Sequence, residues 1–126
     1  MMEGINKTYS EIMHTNEPFF SAAFFIGYHT HASNSQGVLS HTFNSALFSD
    51  VRVNGIPASE AFVNALIAAQ YGVPVVLLTG DQALKDEVRS YARECGVFRR
   101  GKDGSVECAI VKESVGRTSV HTSEPS

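Results

Sequence analysis

The sequence predicts an α/β fold, a layered sandwich with a mainly parallel sheet flanked by helices, plus a β-hairpin. Two apolar runs, residues 22–26 and 73–79, are rich in strand-forming residues and too short to span a membrane. One helical pattern follows each run: residues 60–71 come after the first run and residues 82–95 after the second. The resulting order of strand, helix, strand, helix, strand is typical of a parallel sheet.

Size and composition indicate one ordinary soluble domain. The chain has 126 residues, of which 43% are hydrophobic and 18% charged. A net charge of −3 without a long run of Lys or Arg argues against nucleic acid as a partner. We expect no membrane association and a cytoplasmic location with two reduced cysteines, because residues 1–18 are polar and no C-x-x-C occurs. We treat residues 1–126 as a single domain and expect residues 1–18 and 117–126 to be poorly ordered.

The first half of the chain predicts a buried strand and then a hairpin. Residues 19–28 are expected to form a strand that is buried on both faces, followed by a polar loop over residues 33–40. Residues 49–58 predict a hairpin, because Asn54-Gly55 suits the two positive-φ positions of a type I′ turn. Pro57 cannot donate to a strand ladder, so the second arm is an edge or ends there.

The second half predicts two helices between strands. Ser59 is the expected N-cap of a helix from Glu60 to Tyr71, which Gly72 ends. That helix is apolar on almost every side, which predicts burial under the sheet or in a subunit contact. An amphipathic helix over residues 82–95 and a short strand over residues 106–111 follow.

Three of the five histidines occur within thirteen residues at the end of the first strand, where open α/β sheets place their sites. His29 is either a metal ligand or a hydrogen-bonded structural histidine. His41 is either a nucleophile or proton carrier beside a metal, or a partly exposed loop histidine. His31 adds only a weak H-x-H signal.

Acidic residues supply the other candidates. Glu60 opens the apolar helix, so its carboxylate is either directed toward the core or simply stabilised by the helix dipole. Asn64 lies one turn further along and can hold Glu60 or a substrate group. Asp81 is either a site residue or only the cap of the next helix. Two imidazoles and a carboxylate form a plausible zinc set, but no H-E-x-x-H, phosphate-binding glycine loop or G-x-S-x-G motif is present.

An ordered set of short motifs extends from about Phe25 to Arg117. It consists of Phe25-Ile26-Gly27-Tyr28-His29, Gly37-Val38-Leu39-Ser40-His41-Thr42, Val53-Asn54-Gly55, Glu60-x-x-x-Asn64-Ala65, Gly72-Val73-Pro74-Val75, Gly80-Asp81, Val111-Lys112-Glu113 and Gly116-Arg117. In order and spacing this set resembles the DppA-type D-aminopeptidases, a family of zinc-dependent, self-compartmentalising peptidases.

The resemblance implies residue roles, a reaction and an assembly. It implies that His29 and Glu60 are ligands of a centre with two zinc ions, and that His41 is the catalytic nucleophile. The implied reaction is release of N-terminal D-amino acids, typically D-Ala, from short peptides. The implied assembly is a homo-oligomeric ring.

The chain departs from the family pattern by lacking the N-terminal strand with its Asp-x-Glu-Gly motif, a further histidine ligand and the C-terminal region. Only two of five expected zinc ligands are therefore in place. Three hypotheses follow: a partial D-aminopeptidase, a non-catalytic remnant or subunit that only associates with other chains, or a different small hydrolase that uses His29, His41 and Asp81. We expect His29 and Glu60 to face one cavity, with His41 on a loop nearby.

Overall fold

The computed structural model describes residues 20–100, 104–116 and 119–122, and it describes side chains for residues 20–98 and 106–112. The elements, in chain order, are β1 (Ala23–Phe25), β2 (Arg52–Val53), β3 (Ile56–Pro57), α1 (Glu60–Gln70), β4 (Val75–Gly80), α2 (Gln82–Glu94), β5 (Arg99–Arg100), β6 (Gly104–Ser105), β7 (Glu107–Ile110), β8 (Lys112–Gly116) and β9 (Ser119–Thr122).

A three-stranded parallel sheet forms the centre of the fold. Its order is β1-β4-β7, so β4 is the middle strand and both crossovers contain a helix. The register places Phe25 beside Leu78 and Leu78 beside Cys108. The predicted α/β class with a parallel sheet is confirmed.

The core lies between the sheet and the two helices. Phe25 and Leu78 are buried with residues of both helices, and the rings of Phe62 in α1 and Tyr91 in α2 stack with centroids 4.3 Å apart. The other buried apolar members of this cluster are Tyr28, Ala58, Ala61, Ala65, Leu84, Val88, Ala92, Phe98 and Val106. Both helices therefore pack on the face of the sheet that carries Phe25 and Leu78.

The prediction of a first strand buried on both faces is wrong. The strand covers only Ala23–Phe25, because a register irregularity follows Ala23 and Gly27 turns the chain with φ +72°. Phe24 points to the face opposite the helices and is 59% exposed, and Ile26 is 53% exposed. Among the described residues no helix covers that second face, so the sheet is flanked by helices on one side.

The local predictions for the hairpin and the helix ends are confirmed. Asn54 and Gly55 have φ values of 51° and 83°, and the second arm ends at Pro57. The Ser59 hydroxyl accepts the Phe62 N–H, and Gly72 follows α1 with φ +69°. Neither described helix is both long and apolar enough to cross a membrane.

The sequence also led to predictions for the two chain ends and for the two cysteines. Residues 1–18, expected to be poorly ordered, lie outside the described residues. Within residues 117–126, expected to be poorly ordered as well, Ser119–Thr122 form β9, which pairs antiparallel with β8. Residues 117–118 and 123–126 lie outside the described residues. Cys95 and Cys108 are both free thiols, as predicted.

Candidate active site at the carboxyl end of the sheet

The site begins where β1 ends. Gly27 donates its N–H to the Thr79 hydroxyl at 2.8 Å, and Tyr28 donates its N–H to the Thr79 carbonyl at 3.0 Å. These bonds hold the chain beside the end of β4 after the strand itself has stopped. His29 therefore leaves the carboxyl edge of the sheet, which is the edge where ligands bind in open α/β folds.

The loop after His29 folds back on itself and returns His41 to the same edge. The His41 N–H donates to the Thr30 carbonyl at 3.2 Å, and the hydroxyls of Thr30 and Ser40 are 2.8 Å apart in a buried pair. Gly37 is required here, because a Cβ atom at this position would lie 2.0 Å from Thr30 Oγ1. The rings of His29 and His41 consequently lie with centroids 5.0 Å apart.

His41 lies between two residues with positive φ and has its ring beside Glu60. Leu39 and Phe43, two residues before and after His41, have φ values of 48° and 59°. This is the left-handed backbone region, which residues other than glycine rarely adopt. His41 Nδ1 donates to the Leu39 carbonyl at 2.5 Å, and its Nε2 lies 3.8 Å from Glu60 Oε1. That same carboxylate oxygen accepts the Phe43 N–H at 2.8 Å. The Phe43 N–H thus holds the Glu60 carboxylate against the loop. Glu60 itself lies one helical turn before Asn64.

A cavity of about 330 Å³ opens at this position. His29 and Glu60 both line it, together with Ile26, Gly27, Tyr28, Phe43 and Asn64. His41 is not part of the lining, but it lies close to both His29 and Glu60. The prediction that His29 and Glu60 face one cavity with His41 nearby is confirmed. The roles of these three residues as ligands and nucleophile stay predictions.

The structure adds a Tyr28–Asn64 pair that sequence reasoning did not identify. The Asn64 amide donates to the Tyr28 hydroxyl at 2.9 Å, so this amide does not hold Glu60. Burial is the largest effect on Tyr28 and raises its pKa, which keeps the phenol protonated. The bond from Asn64 lowers this pKa, and the negative charge of nearby Glu60 raises it. The position of Tyr28 directly before His29 was the one sequence signal that could have identified it.

The His29 ring is suited to metal binding in its neutral form. Burial is the largest effect and lowers the pKa of His29, while the hydrogen bond to the Val38 carbonyl raises it. Lys112 and His41 lower that pKa further. The ring therefore stays neutral to lower pH than an exposed histidine, and a neutral imidazole is the form that binds metal.

The chemistry of His29 and Glu60 fits zinc, but within the described part of the chain these two donors are too few for a complete zinc site. Zinc takes imidazole nitrogen and carboxylate oxygen, and catalytic zinc sites use three protein ligands. Among the described residues, no group of three or more His, Cys, Asp or Glu side chains is placed so that it could hold a metal ion. His29 and Glu60 could supply two ligands of a larger set.

The remaining candidates lie outside the cavity. Asp81 caps α2 and is 2% exposed, and its two oxygens accept the backbone N–H groups of Leu84 and Val38. This engagement argues against the hypothesis of a hydrolase in which Asp81 acts directly on a substrate. His31 bonds to Ser33 through Nδ1 at 3.1 Å and lies 3.7 Å from Glu87.

Comparisons with known proteins find a family and relatives that this chain resembles. The model of the D-aminopeptidase family matches residues 1–126. A D-aminopeptidase of Bacillus subtilis (strain 168) is 31% identical over 129 residues, which cover 100% of this chain and 37% of that protein. A solved structure, the Zn-dependent D-aminopeptidase DppA from Bacillus subtilis, described as a self-compartmentalizing protease, superposes with a TM-score of 0.61 and 28% identity over 84% of this chain and 34% of that chain. The chain thus spans about a third of the length of these relatives, and it belongs to the D-aminopeptidase family.

Proposed function

We propose that this chain carries part of the zinc-dependent site of a D-aminopeptidase that releases N-terminal D-amino acids, of the D-Ala type, from short peptides. The observation that carries the proposal is the convergence of three side chains. His29 and Glu60 line one cavity, and His41 lies 3.8 Å from Glu60 with its ring 5.0 Å from that of His29. Membership of the family and the zinc dependence of the related DppA support the choice of metal and reaction.

His29 and Glu60 are the residues that would hold zinc. The Nδ1–H of His29 is committed to the Val38 carbonyl at 2.8 Å, so the other ring nitrogen carries the lone pair that a metal needs. Glu60 receives the Phe43 N–H on Oε1, which leaves Oε2 outside that bond. Bound zinc would polarise the carbonyl of the scissile peptide. Further donors, and the second zinc of the family pattern, require ligands outside the described residues.

His41 would act on the substrate as a nucleophile. Its Nδ1–H donates to the Leu39 carbonyl, so its Nε2 carries the lone pair and is the nitrogen nearer Glu60. An imidazole with one nitrogen fixed by a carbonyl and the other free has the arrangement required of a nucleophile or general base. The bond from Nδ1 to the Leu39 carbonyl holds the ring in this orientation.

The size of the cavity favours a small substrate. Its volume of about 330 Å³ lies at the low end of the range for ligand sites, which runs from about 300 to 1,000 Å³. Ile26 and Phe43 supply an apolar wall, and Asn64 and Tyr28 supply polar groups. A short peptide with a small first residue suits this combination.

A second candidate function is a non-catalytic subunit that only associates with other chains, as a homo-oligomer or with a chain that carries the missing ligands. The lack of a three-ligand group among the described residues favours this alternative. The exposed apolar side chains Phe24 and Ile26 are consistent with association. The self-compartmentalizing character of the related DppA supports assembly into a ring.

An activity comparison separates the two candidates. The purified chain is incubated with Zn²⁺ and D-Ala-Gly or L-Ala-Gly, and the released alanine is measured, while light scattering after size exclusion gives the mass of the assembly. The enzyme proposal predicts release of D-Ala that falls at least about 100-fold in His41→Ala, whether His41 acts as nucleophile or as general base. The matched control is His31→Ala, which changes a histidine of the same loop whose ring bonds to Ser33 and faces Glu87, and this variant should retain activity. Assembly without any D-specific turnover would refute the enzyme proposal for this chain and favour the non-catalytic subunit.

A further inference from the structure

The carboxylate of Asp81 connects two parts of the fold that lie far apart in the sequence. Oδ1 accepts the Leu84 N–H at 2.8 Å, which is the capping bond of α2. Oδ2 accepts the Val38 N–H at 2.7 Å, across 43 residues. A helix cap requires only the first of these bonds. The second bond therefore indicates a task for Asp81 beyond the start of α2.

Val38 continues this connection to His29. The residue is 3% exposed, so its peptide groups have no ready access to water. Its N–H is taken by Asp81, and its carbonyl accepts a hydrogen bond from His29 Nδ1 at 2.8 Å. A carbonyl oxygen can only accept, so Nδ1 must carry the proton and Nε2 must carry the lone pair of the neutral ring. The direction of the Val38 carbonyl thus decides which ring nitrogen of His29 is available to the cavity.

We infer that Asp81 is a positioning residue for His29. It anchors the Val38 peptide, and the anchored peptide holds His29 as the Nδ1–H tautomer with Nε2 free for a ligand. This inference rests on the proposed function insofar as that ligand is zinc. Groups that orient a metal-binding histidine through its second nitrogen typically change metal affinity 10- to 100-fold when they are removed.

The decisive variant is Asp81→Asn. Its amide oxygen can still accept the Leu84 N–H, so the cap of α2 is retained, because Asn is as good an N-cap as Asp. The amide NH₂ group then faces the Val38 N–H, and two donors repel each other. Asp81→Ser is the second variant, since a serine hydroxyl can cap the helix but is too short to reach Val38 as well. Ser59→Ala is the matched control, because it removes the cap of α1, which has no bond to Val38.

The readout is the tautomer of His29 in the metal-free chain at pH 8, measured by long-range ¹H–¹⁵N correlation spectra of the imidazole. The unmodified chain and Ser59→Ala should show one Nδ1–H form. Asp81→Asn and Asp81→Ser should show a mixture with the Nε2–H form, and their affinity for Zn²⁺ should be about 10- to 100-fold weaker than that of the unmodified chain.

Two results would overturn the inference. The first is an unchanged Nδ1–H form in either folded Asp81 variant, and the second is the same mixture of tautomers in Ser59→Ala, which would attribute the change to general loosening. Failure of the proposed function is a separate result. If the unmodified chain binds no Zn²⁺ while the tautomer changes only in the Asp81 variants, the positioning role of Asp81 is supported and the zinc site is not.

Discussion

Glu87 in α2 anchors the loop that carries His29 and His41, and its replacement provides a quantitative test of the fold around the site. The side chain is nearly buried, with 8% exposure. Oε2 accepts the His31 N–H at 3.2 Å and the Asn34 amide at 3.3 Å, and Oε1 accepts the Tyr91 hydroxyl at 3.0 Å. Glu87→Ala removes all three bonds, whereas Glu87→Gln can keep most of them.

The expected losses of stability differ between the two variants. In Glu87→Ala the Tyr91 hydroxyl keeps its bond to the Pro57 carbonyl at 2.8 Å, so two donors, the His31 N–H and the Asn34 amide, lose a charged acceptor. Bonds to charged groups contribute about 1.5–3 kcal/mol each, and these two are long, so the free energy of unfolding should fall by about 3 kcal/mol. In Glu87→Gln the amide oxygen can accept both donors and the NH₂ group can donate to Tyr91. Only the difference between a charged and a neutral acceptor is lost, so the loss should be about 1 kcal/mol.

Urea denaturation of the chain measures both effects. With a slope of about 2 kcal/mol/M, a loss of about 3 kcal/mol lowers the midpoint by about 1.5 M. An alanine variant within about 1 kcal/mol of the unmodified chain would refute the anchoring role. Equal losses in the alanine and glutamine variants would refute the hydrogen-bond argument, and would show that the negative charge beside His31 dominates instead.

Three further predictions concern the loop, a helix cap and pH. Gly37→Ala should disrupt the loop and lower the melting temperature, because the new Cβ atom would lie 2.0 Å from Thr30 Oγ1. Calorimetry measures the melting temperature, and an unchanged value would contradict the prediction. Ser59→Ala should lower the free energy of unfolding by about 1 kcal/mol through loss of the α1 cap, and no change in urea midpoint would contradict the capping bond. The lowered pKa of His29 means that the unfolded chain takes up the proton first as pH falls below about 6.5, so stability declines between pH 7 and 5. His29→Gln should show a smaller decline in urea midpoint over that interval, and an identical decline would refute the argument.

Local chemistry made several elements predictable from sequence. Asn54-Gly55 allows few backbone conformations other than the observed turn, and Ser59 before an apolar helix has one obvious use as a cap. The strand before Gly80-Asp81 was predictable because its apolar run is bounded on both sides by residues that end strands. The rule that parallel sheets place sites at their carboxyl ends indicated a site near His29. Its convergence with Glu60 was expected only from the resemblance to the D-aminopeptidases, because Glu60 follows an antiparallel hairpin.

Features that depend on tertiary packing were not predictable in this way. The apolar run that contains Phe24 and Phe25 indicates burial, but it cannot tell that helices cover only the Phe25 face in the described part of the chain. The bond from Val38 to Asp81 uses a backbone N–H, which every residue except proline possesses, so it has no sequence signature. The sequence therefore left Asp81 as either a helix cap or a site residue. In the structure its carboxylate caps α2 and also binds the Val38 N–H of the loop.

The central claim is that His29 and Glu60 share one zinc ion, and a double-mutant cycle on zinc affinity tests it most directly. Competition titrations with a chromogenic chelator would compare the unmodified chain, His29→Ala, Glu60→Gln and the double variant. The account predicts that each single change weakens the affinity at least about 10-fold and that the double change costs far less than the sum, because the first loss already breaks the shared site. Additive losses, or an affinity that neither change alters, would contradict it.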